Sequence, residues 1–169
     1  MIYANRLKPR IFSPTTSLLL TAYPFEYDDF ERIVVYEEAI YIAVSEEHPL
    51  ADRESIALEE LKDEVFIGLP AGHLFRTMCD SFCEKAGFTP NVMIECYPSQ
   101  ISDLLEHTDN VAFTIESALG NKEFKETIRL IPLSTPYCTR EISLVYPKKH
   151  VLTEAEKLFL RYCTSYENI

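Results

Sequence analysis

From residue 65 to residue 132 the chain alternates short apolar runs with amphipathic segments, and that alternation limits the fold more than any other feature. VFIGL stands at 65–69, VMIEC at 92–96, NVAFTI at 110–115 and IRLIP at 128–132. Short runs rich in β-branched and aromatic residues, bounded by Pro, Gly and Asn, read as strands. Between the first two, Leu74, Phe75, Met78, Cys79, Phe82, Cys83 and Ala86 recur at helical spacing over 73–86, and Gly87 supplies a left-handed stop. A second helix follows, with Ser99 as its cap and Ile101, Leu104 and Leu105 inward. A third, short helix is expected around 117–125. The order β-α-β-α-β-α-β predicts a mainly parallel α/β sheet covered by helices.

The flanking segments add strands. SLLLTA at 17–22, IVV at 33–35, AIYIAVS at 39–45 and REISLVY at 140–146 all read as extended. A short helical turn covers 57–62. Thr153 and Glu156 form a capping box that opens a final helix, with Ala155, Leu158, Phe159, Tyr162, Cys163 and Tyr166 along one side.

Open sheets of this class bind ligands beyond the carboxyl ends of their strands. Those ends are the turns at 70–73, 97–100 and 114–117. Pro70-Ala71-Gly72-His73 leads into a helix, whose N-terminal N–H groups favour carboxylates and phosphates. Gly72 lets a ligand approach the backbone, and His73 and Arg76 can bracket an anion. Ser99 and Gln100 open the next helix. Thr114 and Glu116 end the next strand, where Glu116 favours an amine-bearing or cationic ligand. Each has a plainer reading as a turn, a cap or a solvated side chain.

Charge excludes one large class of function. With 27 acidic and 16 basic residues the net charge is -11. Affinity for nucleic acid rests on cationic neutralisation of phosphates, so no direct DNA or RNA contact is expected. The five cysteines form no CxxC pair, and residues 1–10 carry three basic residues without a leader-like apolar core. Together these predict free thiols in a reducing cytoplasm and no membrane association. Cys79 and Cys83 are spaced for a metal, but both fall on the apolar stripe, where cysteine is common core filler. No P-loop, GxGxxG, GxSxG or HExxH motif occurs, so neither enzyme nor cofactor is expected.

Six stretches in order resemble one family. They are the turn His48-Pro49-Leu50-Ala51 after a strand, the acidic turn with Leu58 and Leu61, and the run Glu64-Val65-Phe66-Ile67. After these come Ala86-Gly87-Phe88-Thr89-Pro90 and the strands at 111–113 and 140–146. The series resembles the effector-binding (substrate-binding) domain of LysR-type transcriptional regulators, from about residue 18 to the end. That resemblance implies a two-lobed fold of the periplasmic-binding-protein type II kind, with a ligand in the inter-lobe cleft. Residues 45–140 would form lobe II, and 1–44 with 141–169 a partial lobe I with the crossover strands. Lobe I is expected to be incomplete, because a β-α-β unit ordinarily precedes the segment matching Leu18. The family's DNA-binding domain is not matched. Thr108, Asn110 and Ile115 stand where the family usually has two glycines and a proline, and Asn110 can take a left-handed turn.

The resemblance further implies a sensor of a small organic effector, carboxylate-bearing, in a cytoplasmic homodimer. The site would comprise Gly72, His73, Arg76, Ser99, Gln100, Thr114 and Glu116, with Thr21 and Tyr23 from lobe I. Three other readings stay open on the residues alone: a solute-binding protein of similar fold, an enzyme using cysteine or a metal, and an interaction remnant that binds no ligand.

Overall fold

A computed structural model describes residues 17–22, 28–119 and 124–165. The chain divides into two compact units, Glu38–Thr139 and Met1–Glu37 with Arg140–Ile169. The strands are β1 (Leu19–Thr21), β2 (Phe30–Ser45), β3 (Ile56–Ala57), β4 (Val65–Gly68), β5 (Asn91–Glu95), β6 (Val111–Ile115), β7 (Ile128–Thr135) and β8 (Thr139–Pro147). The helices are α1 (Leu74–Lys85), α2 (Pro98–Leu105) and α3 (Glu154–Thr164), with single 3₁₀ turns at Leu58–Leu61 and Glu116–Leu119. The chain passes between the units within β2 and again within β8.

In the larger unit the strand order is β3-β7-β2-β6-β4-β5. β4 lies parallel to both β5 and β6, while β2 is antiparallel to β6 on one side and β7 on the other. So β4, β5, β6 and β7 all run the same way, as the alternation predicts, with β2 inserted against them. Both faces of β2 are covered there, and Ala39, Ile40, Ile42, Ala43 and Val44 are all buried. A doubly covered strand needs such a continuous apolar run.

By sequence, two extended runs, 33–35 and 39–45, stand on either side of Tyr36-Glu37-Glu38. The strand instead continues from Phe30 to Ser45. Glu38 is only 1% exposed, and its Oε1 accepts the Ser117 N–H at 2.9 Å, which offsets the burial of its carboxylate.

α1 buries Phe75, Cys79 and Cys83 against the sheet. It ends at Gly87, whose φ of 91° lies in the left-handed region, and Phe88 N–H donates to the Cys83 carbonyl at 3.0 Å. α2 is capped by Tyr97 with Pro98 in its first turn, not by Ser99. Proline has no N–H to satisfy, so it suits that first position and moves the cap two residues earlier than expected. Ile101 and Leu105 are buried beneath it. The turn after α2 closes through Thr108, whose Oγ1 donates to the Leu104 carbonyl at 2.8 Å. Asn110 has an ordinary negative φ. The threonine hydroxyl thus supplies the local bond, and no left-handed residue is needed. The helix expected at 117–125 is a 3₁₀ turn over Glu116–Leu119, and its remainder falls partly outside the described residues.

The HPLA turn is a structural device. His48 is 5% exposed; its Nδ1 accepts the Leu50 N–H at 3.1 Å and its Nε2 lies 3.8 Å from Glu64. An Nδ1 that accepts leaves the ring proton on Nε2, facing the carboxylate. Pro49 between them pre-sets the backbone of the turn.

In the smaller unit β1 and β8 are antiparallel, with Thr21 opposite Ser143. Val35, Leu144 and Leu160 form its core, with Ile33, Tyr146, Leu152 and Cys163 packed around them. Of the face expected for α3, Cys163 packs against this core while other members do not. Leu158, Phe159 and Tyr162 are exposed, and Leu160 is buried instead. Tyr166 lies outside the described residues. The sequence offers more apolar positions on α3 than the smaller unit's core covers, and a capping box fixes where the helix starts. Thr153 accepts the Glu156 N–H, the Glu156 carboxylate accepts the Thr153 N–H at 2.7 Å, and His150 Nε2 lies 3.0 Å from Glu156 Oε1.

The Glu156 carboxyl is held down to about 2, first by the Ser17 hydroxyl, then by the Thr153 N–H and His150. A carboxyl depressed on folding stabilises the folded state above its unfolded pKa of about 4.3. That contribution is lost as pH falls from there towards 2. Thr153→Ala is expected to cost about 1 kcal/mol in urea unfolding at pH 7. In Glu156→Gln the part of the acid destabilisation between pH 4 and pH 2 that belongs to this carboxyl should be missing.

Candidate functional site

β4, β5 and β6 end at the same edge of the larger unit's sheet, and each end opens into a turn carrying predicted site residues. After β4 comes Pro70-Ala71-Gly72-His73. Gly72 has φ 87° and is exposed, so the chain turns there through a backbone conformation that side chains disfavour. His73 caps α1, its Nδ1 accepting the Phe75 N–H at 3.2 Å. The ring is thus tied to the helix start, with its other edge exposed.

Arg76 is held more firmly. Its Nε donates to Asp80 Oδ1 at 2.8 Å, its Nη1 donates to the Leu69 carbonyl at 3.1 Å, and Nη1 lies 3.7 Å from Glu95 Oε1. Only 17% of its side chain is exposed. The guanidinium passes close over Gly68, where an added Cβ would come within 3.0 Å of Nη1. Arg76 therefore ties β4, α1 and β5 together. Glu95 completes this web by accepting the Ala71 N–H at 3.1 Å, so a carboxylate of the chain itself already sits at the α1 turn.

The second turn carries Ser99 and Gln100, both exposed. Gln100 reaches back to accept the Tyr97 N–H at 3.1 Å, closing the α2 start. Freed from capping, Ser99 presents its hydroxyl on the exposed first turn of the helix. The third turn follows β6. Thr114 is 6% exposed and pairs across to Tyr41, and Glu116 is exposed with its Oε2 accepting the Ala39 N–H at 3.3 Å. The Tyr41 phenol is pushed up by burial, with the neighbouring Glu116 and Tyr137 adding to the effect.

Thr21 is half-buried at the end of β1 in the smaller unit, and Tyr23 lies outside the described residues. Gly72, Ser99, Gln100, Thr114 and Glu116 thus share one sheet edge, while His73 and Arg76 serve mainly to build it. Sequence reading missed Glu38 and Glu95. The only signal for Glu95 was its outward place in the alternating NVMIE strand, and Glu38 looked like part of a polar break.

A cavity of about 20 Å³ lies under α1, lined by Phe66, Phe75, Cys79, Val92, Ile101 and Phe113. It has room for about one water and no organic ligand. Among the described residues no group of three metal-ligating side chains comes together. Burial pushes the Cys83 thiol up to about 12 and Cys138 up to about 11, and raises Cys96 as well. Thiols so placed stay protonated and unreactive. A thiol reagent should label Cys163 alone in the native protein, since Cys79, Cys83, Cys96 and Cys138 are buried. All five should react in denaturant.

The profile of the family described as LysR substrate binding domain matches residues 5–167. The chain belongs to this family. An uncharacterized HTH-type transcriptional regulator of Bacillus subtilis, YybE, is 29% identical over 95% of this chain and 54% of its own length. The transcriptional dual regulator GltC of the same organism is 28% identical over 85% of this chain and 48% of its own. The chain thus spans about half the length of the curated relatives it matches. Among solved structures, the effector-binding domain of QuiR in complex with shikimate superposes with TM-score 0.77 at 20% identity, covering 95% of this chain and 76% of that one. The Synechocystis CcmR regulatory domain in complex with 2-PG gives 0.79 at 15% identity, covering 96% and 79%. These likenesses establish the LysR effector-domain fold, of the periplasmic-binding-protein type II kind. No described helix is long and apolar enough to cross a membrane.

Proposed function

We propose that this chain is the effector-sensing, non-enzymatic part of a cytoplasmic LysR-type transcriptional regulator, and that its effector is a small carboxylate-bearing molecule held at the shared sheet edge. The observation that carries this is the pairing of two helix starts, at Leu74 beside Gly72 and at Pro98 beside Ser99, on one edge of four strands that run the same way. Helix N-termini favour anions, and an exposed hydroxyl and a glycine backbone suit a carboxylate better than a hydrophobic group. The ligands held by QuiR and CcmR, shikimate and 2-PG, make a small organic ligand the natural class to test.

Gly72, Ser99, Gln100 and Thr114 are the contacts we assign, with Glu116 selecting against a second negative group. His73 and Arg76 support the turn. The net charge of -11 supports a chain that leaves DNA contact to another part of a longer protein, with a homodimer as the working assembly.

A thermal-shift series against small carboxylates, shikimate and 2-PG among them, tests the reading. A true effector at a hundredfold its Kd adds about 2.7 kcal/mol, or about 5–10 °C in Tm for a chain of this size. A flat response across the series, with no rise above one degree, would count against it.

A further inference from the structure

Two glutamates exchange partners across the end of β6. Glu38 Oε1 accepts the Ser117 N–H at 2.9 Å, and Glu116 Oε2 accepts the Ala39 N–H at 3.3 Å. Residues 38 and 39 are neighbours on β2, and residues 116 and 117 are neighbours on the turn. Each segment therefore gives one carboxylate and takes one from the other, as the two members of a capping box do within one helix. The register brings the pair together, because Ile40 lies opposite Ile115. A third segment joins on the other side of β2, where Ile40 N–H donates to the Cys138 carbonyl at 2.9 Å. Glu38 stands at the boundary residue of the larger unit, where β2 enters it.

We propose that Glu38 is a positioning residue: its buried carboxylate and the returning contact from Glu116 form one clasp, which makes the Glu116–Leu119 turn and the crossover strand β2 respond together. This rests on reading the turn as part of the effector rim. The clasp gives Glu116 a duty beyond charge. A carboxylate ligand that pushes the Glu116 carboxylate aside by like-charge repulsion releases the Ala39 N–H, and the disturbance enters β2 at the point where the strand passes between the units. Occupancy of the rim thereby reaches the crossover strand without any ligand contact to it. Glu38 is the fixed half of the clasp because it is buried, and Glu116 is the movable half because it is exposed and its bond is longer.

Amide hydrogen exchange read residue by residue by NMR on the ligand-free protein tests this, and needs no effector. Glu116→Ala changes an exposed side chain and is expected to fold. It should speed exchange at Ala39, which loses its acceptor, and also at Ser117, whose acceptor Glu38 is intact, by roughly tenfold each. Glu38→Ala should speed both amides likewise. Glu38→Gln keeps an oxygen in place and should restore protection at both. The clasp is overturned if Glu116→Ala alters Ala39 alone, or if Glu38→Ala raises exchange evenly through the whole larger unit. A chain that passes this test and still ignores every carboxylate would retain the clasp and lose the effector reading, so the two failures are separable.

Discussion

Phe66→Ala is expected to cost about 3–5 kcal/mol, the largest single loss anticipated in this chain. Phe66 is 1% exposed on β4, the strand flanked in parallel by β5 and β6, and it stacks on Phe113 of β6 at 5.4 Å with an interplanar angle of 19°. Removing the ring forfeits its burial and the stacking together. It also opens the wall of the small cavity under α1, which leaves little hope that neighbours collapse into the gap. Urea unfolding followed by circular dichroism would measure the loss. A cost under 1 kcal/mol would mean that the Phe66 ring is not packed between β4 and β6 as described.

His48→Ala should cost about 2–4 kcal/mol, which is large for a turn residue. Most histidines on turns are exposed, and their loss is nearly silent. This one is enclosed, holds the Leu50 N–H through Nδ1 and faces Glu64 with Nε2. The substitution removes a buried ring and an acceptor in one step. His48→Asn, whose side-chain oxygen can take the place of Nδ1, should recover part of the loss. Equal destabilisation by Asn and Ala would show that ring packing, and not the hydrogen bond, is what matters.

The strands and the first helix were legible because their patterns are local. VFIGL, NVAFTI and the Leu74-to-Ala86 stripe carry their own periodicity, and Gly87 marks its stop with a residue that tolerates positive φ. The features that escaped depend on partners far along the chain. Glu38 inside a strand takes an N–H from Ser117, 79 residues later, a partner that no local pattern announces. The antiparallel insertion of β2 between β6 and β7 leaves no mark in the alternation of 65–132, since β2 precedes it. Leu158, Phe159 and Tyr162 were placed inward on α3 because they resemble a core face in sequence as well as Leu160 does. At the candidate site the turn residues were found by position alone. Their division of labour was not, because it depends on Asp80 and Glu95 engaging Arg76 from two different elements.

The most direct test of the account is to map ligand contact onto the rim. A ¹⁵N-labelled sample would be titrated with the carboxylate that gives the largest thermal shift, and amide shifts followed at Gly72, Ser99, Gln100 and Thr114. The account predicts that the largest changes fall on these four, and that Ser99→Trp, an exposed substitution, weakens binding at least tenfold while leaving the fold intact. Changes centred elsewhere in the chain, with Ser99→Trp binding as tightly as the parent, would contradict it.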